Sequence, residues 1–228
     1  MSYAFIMSHL LDGLKVTLEL TAVGFVGGFA FGFILAVART YGGKVAKALS
    51  IAYIELIRGT PMLLQLYIIG FGLPLLIRHY RPTFVMSTFW AAAIGMAMNS
   101  AAYQAEYIRG AFNSIDYGQV EAAMALGMSK WQIIKNVTFP QAFRIMMPSW
   151  TNEMVYLLKY SSLAMLLAVP EMMYEASVVA SETFMYAQIY LMVAAIYLVF
   201  ATIILQLMRV VESKVYIPGV TTVKRGML

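Results

Sequence analysis

The sequence predicts an all-α integral membrane protein of five transmembrane helices, with its N-terminus outside and its C-terminus inside. Composition is the first reason: of 228 residues, 61% are hydrophobic and 12% are charged, about half the ~25% charged share of ordinary soluble proteins. The second is that apolar residues gather into five stretches, near 14–38, 48–77, 87–112, 148–169 and 189–211. Each can cross a hydrocarbon layer of ~30 Å. The third is the placement of basic residues. With the N-terminus outside, the inner segments receive Arg39, Lys44, Lys47, Arg109, Lys130, Lys135, Arg144, Arg209, Lys214, Lys224 and Arg225, and the outer ones only Arg78 and Arg81. That asymmetry follows the positive-inside rule. It also accounts for the net charge of +5, so the expected surroundings are a lipid bilayer and not nucleic acid. Cysteine is absent, which excludes disulfides and thiolate metal sites, and no other metal-ligand spacing is present.

The elements follow in order. Met1 to Leu11 has no basic leader and the apolar run continues to Ala38, so residues 14–38 are expected to be a retained first span and not a signal peptide. Gly24, Gly27, Gly28 and Gly32 punctuate it; small residues at this spacing let helices approach closely in lipid. The second span carries Arg58-Gly59-Thr60-Pro61. Pro61 lacks a backbone donor and should kink or break the helix, while Glu55 and Arg58, three apart, can pair on one face. In the third, Asn99, Tyr103, Glu106 and Gly110 are spaced 4, 3 and 4. A polar stripe in a span must face the protein interior or a water-filled path. Glu106 has a local partner in Arg109. The fourth carries Asn152, Tyr156 and Lys159 at the same spacing, followed by Ser161 and Ser162. Lys159 lies ~16 Å along this span, near the bilayer centre, and needs a partner or water there. Residues 170–188, with Glu171, Glu175 and Glu182, read as a solvated acidic outer connection that a partner protein can touch. The fifth span is plainly apolar.

Residues 118–148 are the longest stretch that a membrane would reject. Apolar residues there recur at helical spacing, Gly127 breaks the pattern and Pro140 follows, which predicts a short helix, a turn at Gly127 and a second helix stopped by Pro140. Within it, Glu121-Ala122-Ala123, three residues, Gly127, nine residues and then Val137-x-Phe139-Pro140 resemble the EAA loop of ABC importer permeases, with Val137 and Phe139 where isoleucine and leucine are usual. The strings R-G-T-P…Q from Arg58, N-S-A-A-Y-Q-A-E-Y-I-R-G from Asn99 and Lys159-Tyr160-Ser161-Ser162-Leu163 resemble the polar amino acid permeases of that family, the histidine/glutamine/arginine type. Tyr160 departs from the family's polar residue after the lysine.

The resemblance implies a type I ABC importer permease fold over one domain, residues 1–228, in a bacterial or archaeal plasma membrane. It implies that Glu121, Ala122, Ala123, Gly127 and Pro140 couple the chain to a cytoplasmic ABC ATPase dimer, and that a second permease subunit and an extracytoplasmic amino acid-binding protein complete the machine. No phosphate loop is present, so ATP and magnesium are expected on the ATPase partner, with no cofactor on this chain. The expected function is uptake of polar amino acids by alternating access. The candidate path is Asn99, Tyr103, Asn152, Tyr156, Lys159, Ser161 and Ser162; Glu55, Arg58, Pro61, Glu106 and Arg109 are candidate structural or gating groups. The alternative is a secondary transporter driven by an ion gradient, with Glu106 and Lys159 as proton carriers. Small size, no visible internal repeat and the docking loop weigh against it.

Overall fold

A computed structural model describes residues 3–215; Lys224 and Arg225, two of the inner basic residues, lie outside them. The described residues are helical almost throughout and contain no strand. Helix α1 (Tyr3–Tyr41) ends at a Gly42-Gly43 turn, and α2 (Lys44–Arg58) returns from it. At Gly59-Thr60-Pro61 the chain breaks and resumes as α3 (Met62–Tyr67), then passes through a π-turn at Ile68–Gly72 into α4 (Leu73–Tyr80). The break is where Pro61 withholds a donor, and Pro61 itself takes extended backbone. Next come α5 (Thr88–Asn113), the short helices α6 (Tyr117–Ala125) and α7 (Lys130–Ile133), and α8 (Phe139–Tyr160). A 3-10 segment at Ser161–Leu167, α9 (Met172–Thr183) and α10 (Tyr186–Val215) complete the chain.

Among the described residues, three segments are long and apolar enough to cross a membrane: Tyr3–Tyr41, Met62–Tyr80 and Tyr186–Val215. A fourth arises if Lys130–Leu167 and Met172–Thr183, bent by 54° at their junction, make one broken span. Helix α5 is long enough at ~39 Å, but Asn99, Ser100, Gln104, Glu106 and Arg109 lower its apolarity. The first three of these are buried inside the bundle.

Glycine brings α1 and α5 together. A Cβ at Gly28 would lie 2.7 Å from the Ser100 side chain, and one at Gly32 would lie 2.8 Å from the Ala101 carbonyl oxygen. Only hydrogen fits there, so the two backbones approach as the small-residue stripe requires. Around this contact two apolar clusters form. One joins Leu20, Leu66, Met96 and Leu157, and the other Leu35, Ile54, Ile108 and Met146.

Three expectations are corrected. Pro140 does not stop a helix: a π-turn at Ile134–Thr138 joins α7 to α8 and Pro140 sits in the first turn of α8, where its missing N–H costs little. The helix that carries the fourth apolar segment therefore starts before Pro148, which lies inside α8. The region after residue 170 is not a solvated loop either. Glu171 is fully buried and caps α9, accepting from the backbone N–H groups of Met173 (2.9 Å) and Tyr174 (2.8 Å) and from the Thr17 hydroxyl (3.3 Å). His9 meets Glu175 at 3.0 Å, and a Cβ at Gly13 would collide with the Met172 backbone. Helix α9 is thus seated on α1, with Glu182 left exposed.

Candidate functional site

Three sites emerge, and the first is the loop between α5 and α8. Asp116 caps α6 by accepting from Gly118 N–H at 3.0 Å. Ser129 and Gln132 form a reciprocal capping box at the start of α7. Between them Gly127 takes φ +76°, a left-handed conformation that L side chains adopt at a cost. This is the turn the sequence placed there. Glu121 and Ala122 are exposed and Ala123 is buried. Tyr117, Met124, Leu126 and Trp131 are also exposed, so a small folded unit offers an uncovered apolar surface beside an acidic residue. Pro140 lies at the loop's far end, where α8 begins. Tyr41, at the end of α1, packs on Phe112 and bonds Thr138, which sets this unit at the end of the bundle that holds Arg39 and Arg109.

The second site is an ion cluster at that end. Arg109 grips both oxygens of Glu106 through Nε and Nη2, at 2.8 to 3.2 Å, and Arg39 also donates to Oε1. Arg58 stands 3.8 Å from Glu106 and 5.4 Å from the Tyr103 ring centroid. The Glu106–Arg109 contact was expected from spacing. The expected Glu55–Arg58 pair is not formed: Glu55 is exposed, and Arg58 at the end of α2, itself partly exposed, has its nearest carboxylate in Glu106.

The third is a cavity of about 270 Å³ lined by Asn99, Tyr103, Tyr107, Glu153, Tyr156 and Tyr160. Glu153 is buried at 5% exposure and accepts from the Ser100 hydroxyl at 2.7 Å and from Tyr107 at 3.3 Å. Ser100 is held in turn by Gln104, whose amide nitrogen donates to it at 2.9 Å while its oxygen accepts from Trp150 Nε1 at 2.7 Å. A buried carboxylate backed by a chain of oriented donors keeps its position when a ligand arrives.

The structure divides the path residues inferred from sequence. Asn99, Tyr103 and Tyr156 share the cavity. Lys159 and Ser162 instead line a second groove, about 430 Å³, with Met173, Tyr190, Val193, Ala194 and Tyr197. Lys159 Nζ, on the groove, sits 4.6 Å from the ring centroid of Tyr156, which lines the cavity. Asn152 is exposed and lines neither. Ser161 and Ser162 donate to the carbonyls of Leu158 and Lys159, both at 2.7 Å, so their hydroxyls are turned back on their own helix. Glu153, Tyr107, Gln65 and Tyr160 were not singled out as site residues. Glu153 had a signal, since an acid inside an apolar segment is a functional candidate by itself. It stands one position, about 100° of rotation, from the stripe that starts at Asn152.

Comparison with known proteins fits these sites. Residues 28–216 match the family described as binding-protein-dependent transport system inner membrane component. The chain belongs to that family. Among curated relatives it is 36% identical, over 79% of its length and 81% of theirs, to the glutamine transport system permease protein GlnP of Escherichia coli strain K12. It is 35% identical, over 78% of its length and 80% of theirs, to the arginine transport system permease protein ArtQ of Bacillus subtilis strain 168. The solved structure of an amino acid ABC transporter with histidines superposes with a TM-score of 0.80 at 32% identity, covering 91% of this chain and 94% of that one. The fold is shared with the inward-facing MetNI methionine ABC transporter, TM-score 0.76 at 21% identity, covering 95% and 100% of the two chains. This family member is a multi-pass component of the inner membrane, and its type I permease fold and transport role follow from membership.

Proposed function

We propose that this chain is the permease half of an ATP-driven importer for polar amino acids. Five spans cross the membrane with the N-terminus outside. Two permease halves, identical or homologous, enclose the path, because one bundle leaves its polar cavity open. A cytoplasmic ATPase pair binds ATP and magnesium and does the hydrolysis, and an extracytoplasmic binding protein delivers the substrate. The observation that carries the reading is the folded, exposed α6 unit with Glu121, Ala122 and the left-handed turn at Gly127, an element shaped to enter a groove on a soluble partner. Closure of the ATPases pushes on this helix and rotates the attached spans, and the cavity opens alternately to the two sides.

The names of the relatives, glutamine and arginine permeases, support the substrate class, and the cavity supports it chemically. Glu153 offers a buried carboxylate to the substrate's cationic nitrogen, and Lys159, across Tyr156, is the basic group for its carboxylate. The test is uptake by proteoliposomes that hold this chain, its ATPase and its binding protein. Uptake should require internal ATP, survive collapse of proton and sodium gradients, and be matched by hydrolysis that loaded binding protein stimulates, since coupling is reciprocal. Uptake driven by an ion gradient without ATP would overturn the proposal.

A further inference from the structure

The orientation of one side-chain amide decides what the cavity presents. Gln65, on α3 just past the break at Pro61, is 6% exposed. Its amide nitrogen donates to the carbonyl oxygens of Ile57 at 2.7 Å and Thr60 at 3.0 Å, and to the Thr60 hydroxyl at 2.9 Å. Carbonyl oxygens only accept, so the nitrogen must face them, and Gln65 Oε1 is forced to the other side. There it meets Asn99 Nδ2 at 2.9 Å. Since Gln65 offers only an acceptor, Asn99 must turn its nitrogen toward Gln65 and its own oxygen away. Among the described residues Asn99 Oδ1 has no hydrogen-bond partner, yet it is not sealed off; the open space beside it is the cavity that Asn99 lines.

We propose that Gln65 is a positioning residue for transport. By fixing the Asn99 amide it makes both cavity groups of set polarity, Asn99 Oδ1 and the Glu153 carboxylate, acceptors. Tyr103, Tyr156 and Tyr160 present hydroxyls that donate or accept as needed, so these two groups set the preference. The cavity receives a cationic, donor-rich end of the substrate, an ammonium or guanidinium, and rejects a second carboxylate. Gln65 reads the substrate without touching it, and its hold on Ile57 and Thr60 ties that reading to the hinge between α2 and α3. The inference rests on the cavity being the substrate site.

The experiment is direct binding of radiolabelled arginine and glutamate to the purified full-length chain, assembled with its ATPase in nanodiscs and without binding protein. Wild type should bind arginine at least about tenfold more tightly than glutamate, the effect of roughly one hydrogen bond to a charged group. Agmatine, a cation without a carboxylate, should displace arginine, and glutarate, a dicarboxylate without a cation, should not; these two measurements need no variant. Gln65→Leu should weaken arginine about tenfold and flatten the arginine-to-glutamate ratio. In an Asn99→Ala background the same change should have no further effect, because Gln65 acts through Asn99. Displacement by glutarate, an unchanged ratio in Gln65→Leu, or additive losses in the double variant would each overturn the role of Gln65. If Glu153→Gln and Asn99→Ala both bind arginine as wild type does, the cavity itself is wrong, an outcome distinct from the others.

Discussion

Glu106 shows how a charge persists in an apolar bundle. Its two oxygens are taken by Arg39 and Arg109, and the third cation, Arg58, stands off at 3.8 Å. Removing the carboxylate strands three guanidiniums at one place, so Glu106→Gln should destabilise the protein by about 3 kcal/mol, as for a buried pair that loses one partner. Arg58→Gln should cost under ~1 kcal/mol, because its contact is long and its side chain partly exposed. Thermal unfolding of the detergent-purified chain checks the order; an Arg58 variant less stable than the Glu106 variant would reverse the assignment. Glu153 behaves differently, since its partners Ser100 and Tyr107 are neutral. Glu153→Gln can keep one of these contacts and donate to the other hydroxyl, so it should leave folding and ATPase assembly intact and lower substrate-stimulated hydrolysis by tenfold or more, measured as phosphate release.

The elements meet where small residues or turns permit. A valine at Gly28 would drive carbon into Ser100 and part α1 from α5, a loss of several kcal/mol by overpacking. Gly28→Val should therefore abolish detergent-stable protein in a size-exclusion profile, whereas Gly43→Ala, which meets nothing within 4 Å, should not. Gly127 fails for another reason. A Cβ there has open space, but φ +76° costs an L residue ~1–2 kcal/mol, so Gly127→Leu should re-aim α6 against α7 without unfolding the spans. ATPase copurification or hydrolysis-coupled uptake should fall at least tenfold, with Gly127→Asn milder since asparagine tolerates this conformation. The turn was legible because glycine after two helical turns has a local meaning. The π-turn before Pro140 was not legible, because local spacing does not mark it; Ile134 and Thr138 within it are buried.

At the scale of the whole molecule, the end that gathers Arg39, Arg58, Arg109 and the α6 unit lies opposite the end that carries α9. The absence of cysteine makes the orientation directly measurable. Gln119→Cys on α6 should react with a membrane-impermeant maleimide only in inside-out vesicles, and Glu182→Cys only in intact cells. Labelling of position 119 from outside would invert the topology.

Apolar stretches, small-residue spacing, basic asymmetry and the Glu121–Pro140 pattern determined by themselves that this is a helical membrane protein with a folded polar loop between spans. Each is a local property, set by solvent preference or backbone conformation within one or two turns. The residues that share a cavity were decided only by the tertiary structure. Glu153 and Asn99 are 54 positions apart, and the rotation of α8 about its axis, which spacing within α8 leaves open, turns Glu153 inward and Lys159 toward α10. Arg58 finds Glu106 and not Glu55, and Glu171 is a buried cap and not a solvated acid, because long-range packing decides which charges meet. Periodicity names the face of each helix; only the packed bundle says what that face sees.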